Sequence, residues 1–171
     1  IALGKLFGLK VIVTCGSDAK CARALELGAA AAVNYRTQDF VEEAKAQTGG
    51  RGVAVVLDMV GGDYLPRNLA ALADDGRHVS IAFQRGAKAE IDITQIMRRR
   101  LTLTGSTLRA RSVEFKTMVA DEIARTVWPF AEGGRLRPVI DSVFPLEQVA
   151  EAHRRLESGE HVGKIVLELG R

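Results

Sequence analysis

The stretch "VAVVLDMVGG", residues 53–62, constrains the fold more than any other. Its first eight positions are apolar except for one aspartate, and two glycines follow. A strand with one wet face alternates apolar and polar residues. A run without that alternation is expected of a strand covered on both faces, as in parallel sheets flanked by helices. The pattern recurs along the chain. Residues 10–14, 32–34, 77–83 and 101–107 also read as strands. Helices are predicted over 1–7, 17–27, 39–48 and 63–72, with a shorter one at "TQIMRRR". Ser17 fits an N-cap and Gly28 stands just past that helix's end. Strands alternating with helices of about ten residues imply right-handed βαβ units and a doubly wound parallel α/β sheet.

The last third changes style. One long helix is predicted over 112–130, ending near Pro129 and Gly133-Gly134. A strand at 137–143, a helix opened by Pro145 and a strand at 164–169 follow. This strand–helix–strand piece does not continue the alternating pattern. The expected organisation is an α/β domain over 1–131, connecting helix included, and a separate piece over 132–171.

Bulk properties exclude several classes. The chain has 171 residues, 47 % of them hydrophobic, enough for a core, and a net charge of +3. That charge permits an anionic ligand without pointing to nucleic acid. Arg98-Arg99-Arg100 with Arg109 and Arg111 lacks interleaved aromatics, so a solvated loop is the expected reading. Cys15 and Cys21 give no disulfide framework and fit a reducing, cytoplasmic setting. No apolar run of about 18 residues provides a membrane span, and no charged region precedes an apolar stretch as in a secretory signal. Cys15, Cys21, His78, His153 and His161 lack zinc-ligand spacing, so no metal is expected. No nucleophile–base arrangement stands out. Gly49-Gly50-x-Gly52 precedes a strand and reads as a turn. The opening "IALGKLFG" resembles the tail of a helix, and the sequence is expected to begin inside a larger protein.

"LRPVIDSVFPLEQVAEAHRRLESGEHVGKIVLEL" resembles the C-terminal signature of the medium-chain dehydrogenase/reductase superfamily, in particular its zeta-crystallin-type quinone oxidoreductase branch. "VIVTCGSDAK", "LGAAAAVNY", "VLDMVGGDYL" and "GRHVSIAF" follow that family's order and spacing, so the likeness covers essentially the whole chain. It implies that an N-terminal catalytic domain, the first nucleotide-binding strand and the glycine-rich phosphate turn belong before Ile1. The missing strand would leave a gap between 10–14 and 53–60, in the order 3-2-1-4-5-6.

The resemblance also assigns a cofactor, NADPH. The strand at 10–14 ends in Cys15-Gly16-Ser17, where NAD-binding folds usually carry an acidic residue for the ribose hydroxyls. Gly16 and Ser17 alone fit an ordinary helix start. Lys20, however, lies in the first helical turn, where the helix dipole disfavours a cation unless an anion is bound there. The 2′-phosphate of NADPH would be that anion, with Tyr35 beside it and Arg36 as a further cation. Asp18 is discordant but, as the first helical residue, can point to solvent. Val60-Gly61, Phe83-Gln84 and Ser106-Thr107-Leu108 end three successive strands, where open α/β sheets bind ligands. The family places the nicotinamide carboxamide at the last of these. Lys164 in "VGKIV" matches a family lysine that reaches the cofactor region, and equally fits a solvated strand entry.

The implied activity is zinc-independent hydride transfer from NADPH to a quinone or similar electron-poor acceptor. The alternatives are another zinc-free reductase of the superfamily (enoyl reductase or alcohol dehydrogenase), or a non-catalytic nucleotide-binding or dimerising module. A homodimer is expected through the edge strand 101–107, because "LTLTGST" carries no protective charge.

Overall fold

The computed structural model describes residues 1–170. They form two compact units, Leu3–Met118 and the residues from Val119 onward. The division falls inside the long connecting helix.

In the first unit α1 (Ala2–Leu6), β1 (Ile12–Cys15), α2 (Asp18–Glu26), β2 (Ala31–Asn34), α3 (Phe40–Ala46), β3 (Val53–Asp58), α4 (Tyr64–Ala71), β4 (Leu72–Ser80), α5 (Ile93–Arg99) and β5 (Thr102–Gly105) alternate as expected. All strand pairs are parallel. β1 pairs with β2, and β3, β4 and β5 form a second sheet in that order. β1 and β3 do not pair, which agrees with a gap between them. One apolar cluster nevertheless joins the two sheets. Val33, Phe40, Val41, Ala44 and Ala71 are buried, with Ile12 and Val53 packed against them. A second cluster, Leu69, Leu72 and Leu101 with Val56 and Ile96, sits under β3–β5.

β3 departs from expectation. Val55 and Leu57 are 58 % and 63 % exposed, whereas Val56 is half-buried and Asp58 buried. The apolar run is therefore covered on one face only, and β4 is its sole pairing partner among the described residues. Successive side chains alternate faces, so beyond the register shift at Val53/Val55 the bare side carries Val55 and Leu57, while Val53 packs against the buried clusters.

Local chemistry explains most element ends. The side chains of Ser17, Asp39 and Asp92 each accept a backbone N–H at a helix start, filling orphan donors of the first turn. Within the arginine run Arg99 is half-buried, whereas Arg98, Arg100, Arg109 and Arg111 are exposed, as expected of a solvated segment. The Arg99 guanidinium donates to the Leu69 carbonyl at 3.0 Å and to the Leu72 carbonyl, closing the C-terminal end of α4. Arg100 makes a bidentate pair with Asp75, at 2.7 Å to each oxygen.

The predicted long helix is two helices, α6 (Val113–Thr126) and α7 (Trp128–Glu132). Pro129 has no N–H, and its ring crowds the carbonyl four residues earlier, so the helix breaks at Val127. In the second unit β6 (Ile140–Pro145) and β7 (Lys164–Glu168) pair in parallel across a 3₁₀ turn (Leu146–Gln148) and α8 (Val149–Glu157). Pro145 ends the strand and is the N-cap of the 3₁₀ turn that leads into α8, rather than a residue of that helix's first turn. Its carbonyl side is extended, at ψ 152. Asp141 ties this unit together. It accepts two Arg155 hydrogen bonds at 3.0 Å, one from the Val162 amide at 2.9 Å and one from the Ser142 hydroxyl at 3.0 Å. The Arg155 guanidinium, aided by that amide, holds the Asp141 carboxyl well below its ordinary range.

Candidate functional site

Parallel pairing carries the C-terminal ends of β1 and β2 to one place. Cys15 stands opposite Asn34, and the Tyr35 amide donates to the Cys15 carbonyl at 3.1 Å. Gly16, Ser17, Lys20 and Tyr35 meet there. A Cβ on Gly16 would lie 2.8 Å from the Tyr35 hydroxyl, so the missing side chain lets the phenol rest on the strand end. The Ser17 oxygen accepts the Lys20 amide at 3.3 Å, which leaves the hydroxyl proton to donate outward. Ser17 and Tyr35 thus bring a hydroxyl and a phenol to this strand end, and the Lys20 charge is felt at Cys15 beside them. Burial, with the Cys21 thiol alongside, pushes the Cys15 thiol up to about 11, and the Lys20 charge only partly offsets this. The Cys15 thiol is therefore held protonated near neutral pH.

Asp18 does not simply face solvent. Its carboxylate accepts a 2.7 Å hydrogen bond from the amide of Asn34, a buried residue. The Arg36 amide donates to Asn34 Oδ1 at 3.1 Å, which fixes the amide nitrogen toward Asp18. The backbone geometry at Arg36 is thus set by Asn34.

The ends of β3 and β4 form a second group. The Gln84 amide donates to the Met59 carbonyl at 3.2 Å and the Arg85 amide to the Val60 carbonyl at 2.8 Å. Val60-Gly61 and Phe83-Gln84 therefore lie side by side. Gly61 has φ 67, and a Cβ there would sit 2.8 Å from the Gly86 carbonyl oxygen and 2.9 Å from the Phe83 Cβ. Only glycine fits this approach. Ser106 extends the row, its amide donating to the Ser80 carbonyl at 3.0 Å, with Thr107 and an exposed Leu108 beyond. Lys164 opens β7 in the second unit.

Several contributors escaped the sequence reading. Tyr64 links the two groups, its ring edge-on to Tyr35 at 6.4 Å and stacked on Phe40 at 5.8 Å. Arg85 lies over the same ring, 5.5 Å from its centroid, and pairs with Asp63 at 3.0 Å. No spacing rule marks these residues. Asp58 and His78 did leave a signal, as polar residues within apolar strands, because buried polar groups require partners. Among the described residues no cluster of His, Cys, Asp or Glu could hold a metal ion, and no helix is long and apolar enough to cross a membrane.

The fold matches the Rossmann-like NAD(P)-binding part of medium-chain dehydrogenases. Residues 27–167 match the zinc-binding dehydrogenase family, and the chain belongs to it. "Quinone oxidoreductase-like protein 2" of Bos taurus is 34 % identical over 161 residues, covering 94 % of this chain and 46 % of that protein. Among solved structures, an NAD-dependent alcohol dehydrogenase is 35 % identical with a TM-score of 0.76, covering 99 % of this chain and 46 % of that one. The Escherichia coli quinone oxidoreductase complexed with NADPH is 29 % identical with a TM-score of 0.77, covering 96 % and 52 %. The chain spans about half the length of the relatives it matches.

Proposed function

We propose that this chain is the cofactor-binding half of an NADPH-dependent, zinc-independent oxidoreductase acting on quinones or similar electron-poor acceptors. Residues 1–131 serve as the nucleotide-binding domain, and 132–171 belong to the catalytic domain. The observation that carries the reading is that Ser17, at the start of α2, and Tyr35, just after β2, flank one strand end, with the Lys20 charge felt at Cys15 beside them. The strand itself ends in Cys15-Gly16, without the carboxylate that would repel a phosphate.

In this reading Ser17, Lys20 and Tyr35 hold the 2′-phosphate. Val60-Gly61 and Phe83-Gln84 bring backbone close to the dinucleotide. Ser106, Thr107 and Leu108 orient the nicotinamide end, and Lys164 adds a charge from the catalytic domain. The bound cofactor supplies the hydride, and the residues of this chain bind and orient it. The protein works in the cytoplasm, consistent with two free cysteines. It pairs as a homodimer along β5, whose residues Thr102–Gly105 are all exposed and whose outer edge has no strand partner among the described residues.

The test is steady-state reduction of a quinone by the complete protein with NADPH and NADH, for wild type and Lys20→Ala. One charge-assisted contact corresponds to a preference for NADPH of about 10- to 100-fold, and Lys20→Ala should remove most of it. Equal efficiencies in the wild type, or undiminished preference in the variant, would overturn the assignment.

A further inference from the structure

Asp58 and His78 are the most deeply buried ionisable pair in the first unit, and nothing in the proposed chemistry uses them. Asp58 is 3 % exposed and His78 1 %. His78 Nε2 lies 3.1 Å from Asp58 Oδ2. Asp58 is the last residue of β3, and its carboxylate turns back over the residues that follow. Oδ1 accepts the Val60 amide at 2.7 Å and the Gly61 amide at 3.2 Å, and Oδ2 stands 3.3 Å from the Gly61 amide.

We propose that Asp58 and His78 are positioning residues that hold the Val60-Gly61 turn in the shape that receives the dinucleotide. The proposal rests on the cofactor reading given above and adds to it the device that sets the turn. The geometry gives each residue its part. Gly61 and Gly62 both have positive φ, 67 and 55, and neither has a side chain to anchor it. Their conformation is imposed from outside, by Phe83, Arg85 and Gly86 on one side and by the Asp58 carboxylate on the other. A carboxylate can rotate about its last bond. One oxygen on Val60 and the other on the imidazole fix its plane, so the two turn amides see a stationary acceptor. The ring plays this part with its proton on Nε2, donating to Oδ2. β3 and β4 supply the register, because His78 pairs with Val56 while Ser80 pairs with Asp58. His78 therefore sits diagonally across from the aspartate. A burial this complete makes a missing partner costly, so the pair is stiff rather than adaptable.

This arrangement differs from an ordinary cap. A capping aspartate needs only its turn amides. Here a second strand contributes a buried ring whose partner is that same carboxylate. Replacing the ring should loosen the turn before it loosens the sheet.

The test uses the complete protein with His78→Leu, His78→Asn and His78→Gln. Glutamine can carry a donor toward the site of Nε2, whereas asparagine is one methylene shorter and leucine has no donor. Amide hydrogen exchange at Val60 and Gly61 reads the turn directly. Fluorescence titration with NADPH and with NADH reads binding, and KM against kcat separates binding from chemistry. Loss of the His78 donor should speed exchange at both amides and weaken NADPH binding about tenfold, the equivalent of one charge-assisted hydrogen bond. More of the kinetic loss should fall on KM than on kcat, and His78→Gln should recover most of both effects. If His78→Leu does not fold, the Asn and Gln pair gives the same comparison. Unchanged exchange in folded Leu or Asn variants overturns the proposal. So does faster exchange with unaltered NADPH affinity, or a Gln variant as impaired as the others. A wild type that binds neither nucleotide, with exchange responding as expected, overturns the cofactor reading and leaves the hold on the turn standing.

Discussion

Two glycines in one turn separate backbone strain from packing. Gly50 and Gly52 have nearly the same backbone angle, φ 82 and 88. A Cβ on Gly50 would meet nothing within 4 Å, whereas one on Gly52 would collide with the Leu72 carbonyl group and lie 2.7 Å from the Ala71 carbonyl oxygen. Alanine at either position takes on a left-handed conformation costing roughly 1–2 kcal/mol. The stiffer unfolded chain returns roughly 0.4–1 kcal/mol. Gly50→Ala should therefore destabilise by about 1 kcal/mol or less. Gly52→Ala carries the same strain, and it must also push β3 away from the α4–β4 junction, where Val53 pairs with Leu72. Forcing extra atoms into packed backbone costs about 1–3 kcal/mol more, so its total should reach about 1–5 kcal/mol, above the Gly50→Ala loss in every case. Urea unfolding of the two variants beside wild type, followed by far-UV circular dichroism, measures both values. Equal losses would refute the reasoning, since they would mean that the carbonyls at 71 and 72 move aside without cost.

Other consequences can be measured alongside. Leu69 and Leu72 are each 1 % exposed, and Leu69→Ala should cost about 2–5 kcal/mol in the same urea experiment. The Asp141 carboxyl is held below its ordinary value of 3.8 by Arg155 first and then the Val162 amide. Its stabilisation is complete above that value and disappears as pH falls through the lower folded one, so wild type should lose more stability below pH 4 than Asp141→Asn does. Parallel acid profiles would contradict this. The Cys15 thiol, raised to about 11 from 9.0, should alkylate at pH 8 about a hundredfold more slowly than an unperturbed thiol, as peptide mapping after iodoacetamide would reveal. Asp18 faces Asn34 at the proposed phosphate site, so Asp18→Asn should raise the ratio of NADPH to NADH efficiency severalfold by removing a repelling charge.

The alternation of strands and helices was legible because it depends on burial, and burial is written in apolar periodicity. Ser17, Asp39 and Asp92 cap where their chemistry places them. What escaped the sequence were features set by contacts between distant segments. The run "VAVVLDMV" gives no sign that Val55 and Leu57 stand exposed, because apolar residues record the face that a strand can bury, not whether a neighbour arrives. Arg99 looks like part of a charged loop until the end of α4, some 30 residues away, presents the carbonyls it closes.

The site was legible to a similar depth. Gly16, Ser17, Lys20 and Tyr35 fall together because β1 and β2 run in parallel, and a parallel register brings both strand ends to the same edge. The residues that link the two groups of strand ends were harder to see. Tyr64 opens α4, and from there its ring meets Tyr35, Phe40 and Arg85. Asp58 shows what a stricter reading would have used. One carboxylate among seven apolar neighbours is too costly to bury unpaired, so its partners had to include backbone donors at the strand end or a second polar residue on an adjacent strand. His78, the single aromatic nitrogen donor inside "RHVSIAF", answers the second requirement, and the amides of Val60 and Gly61 answer the first. A polar residue that interrupts an apolar strand just before a glycine turn is thus a pointer to the turn's own geometry, and here that turn lies where the cofactor is proposed to bind.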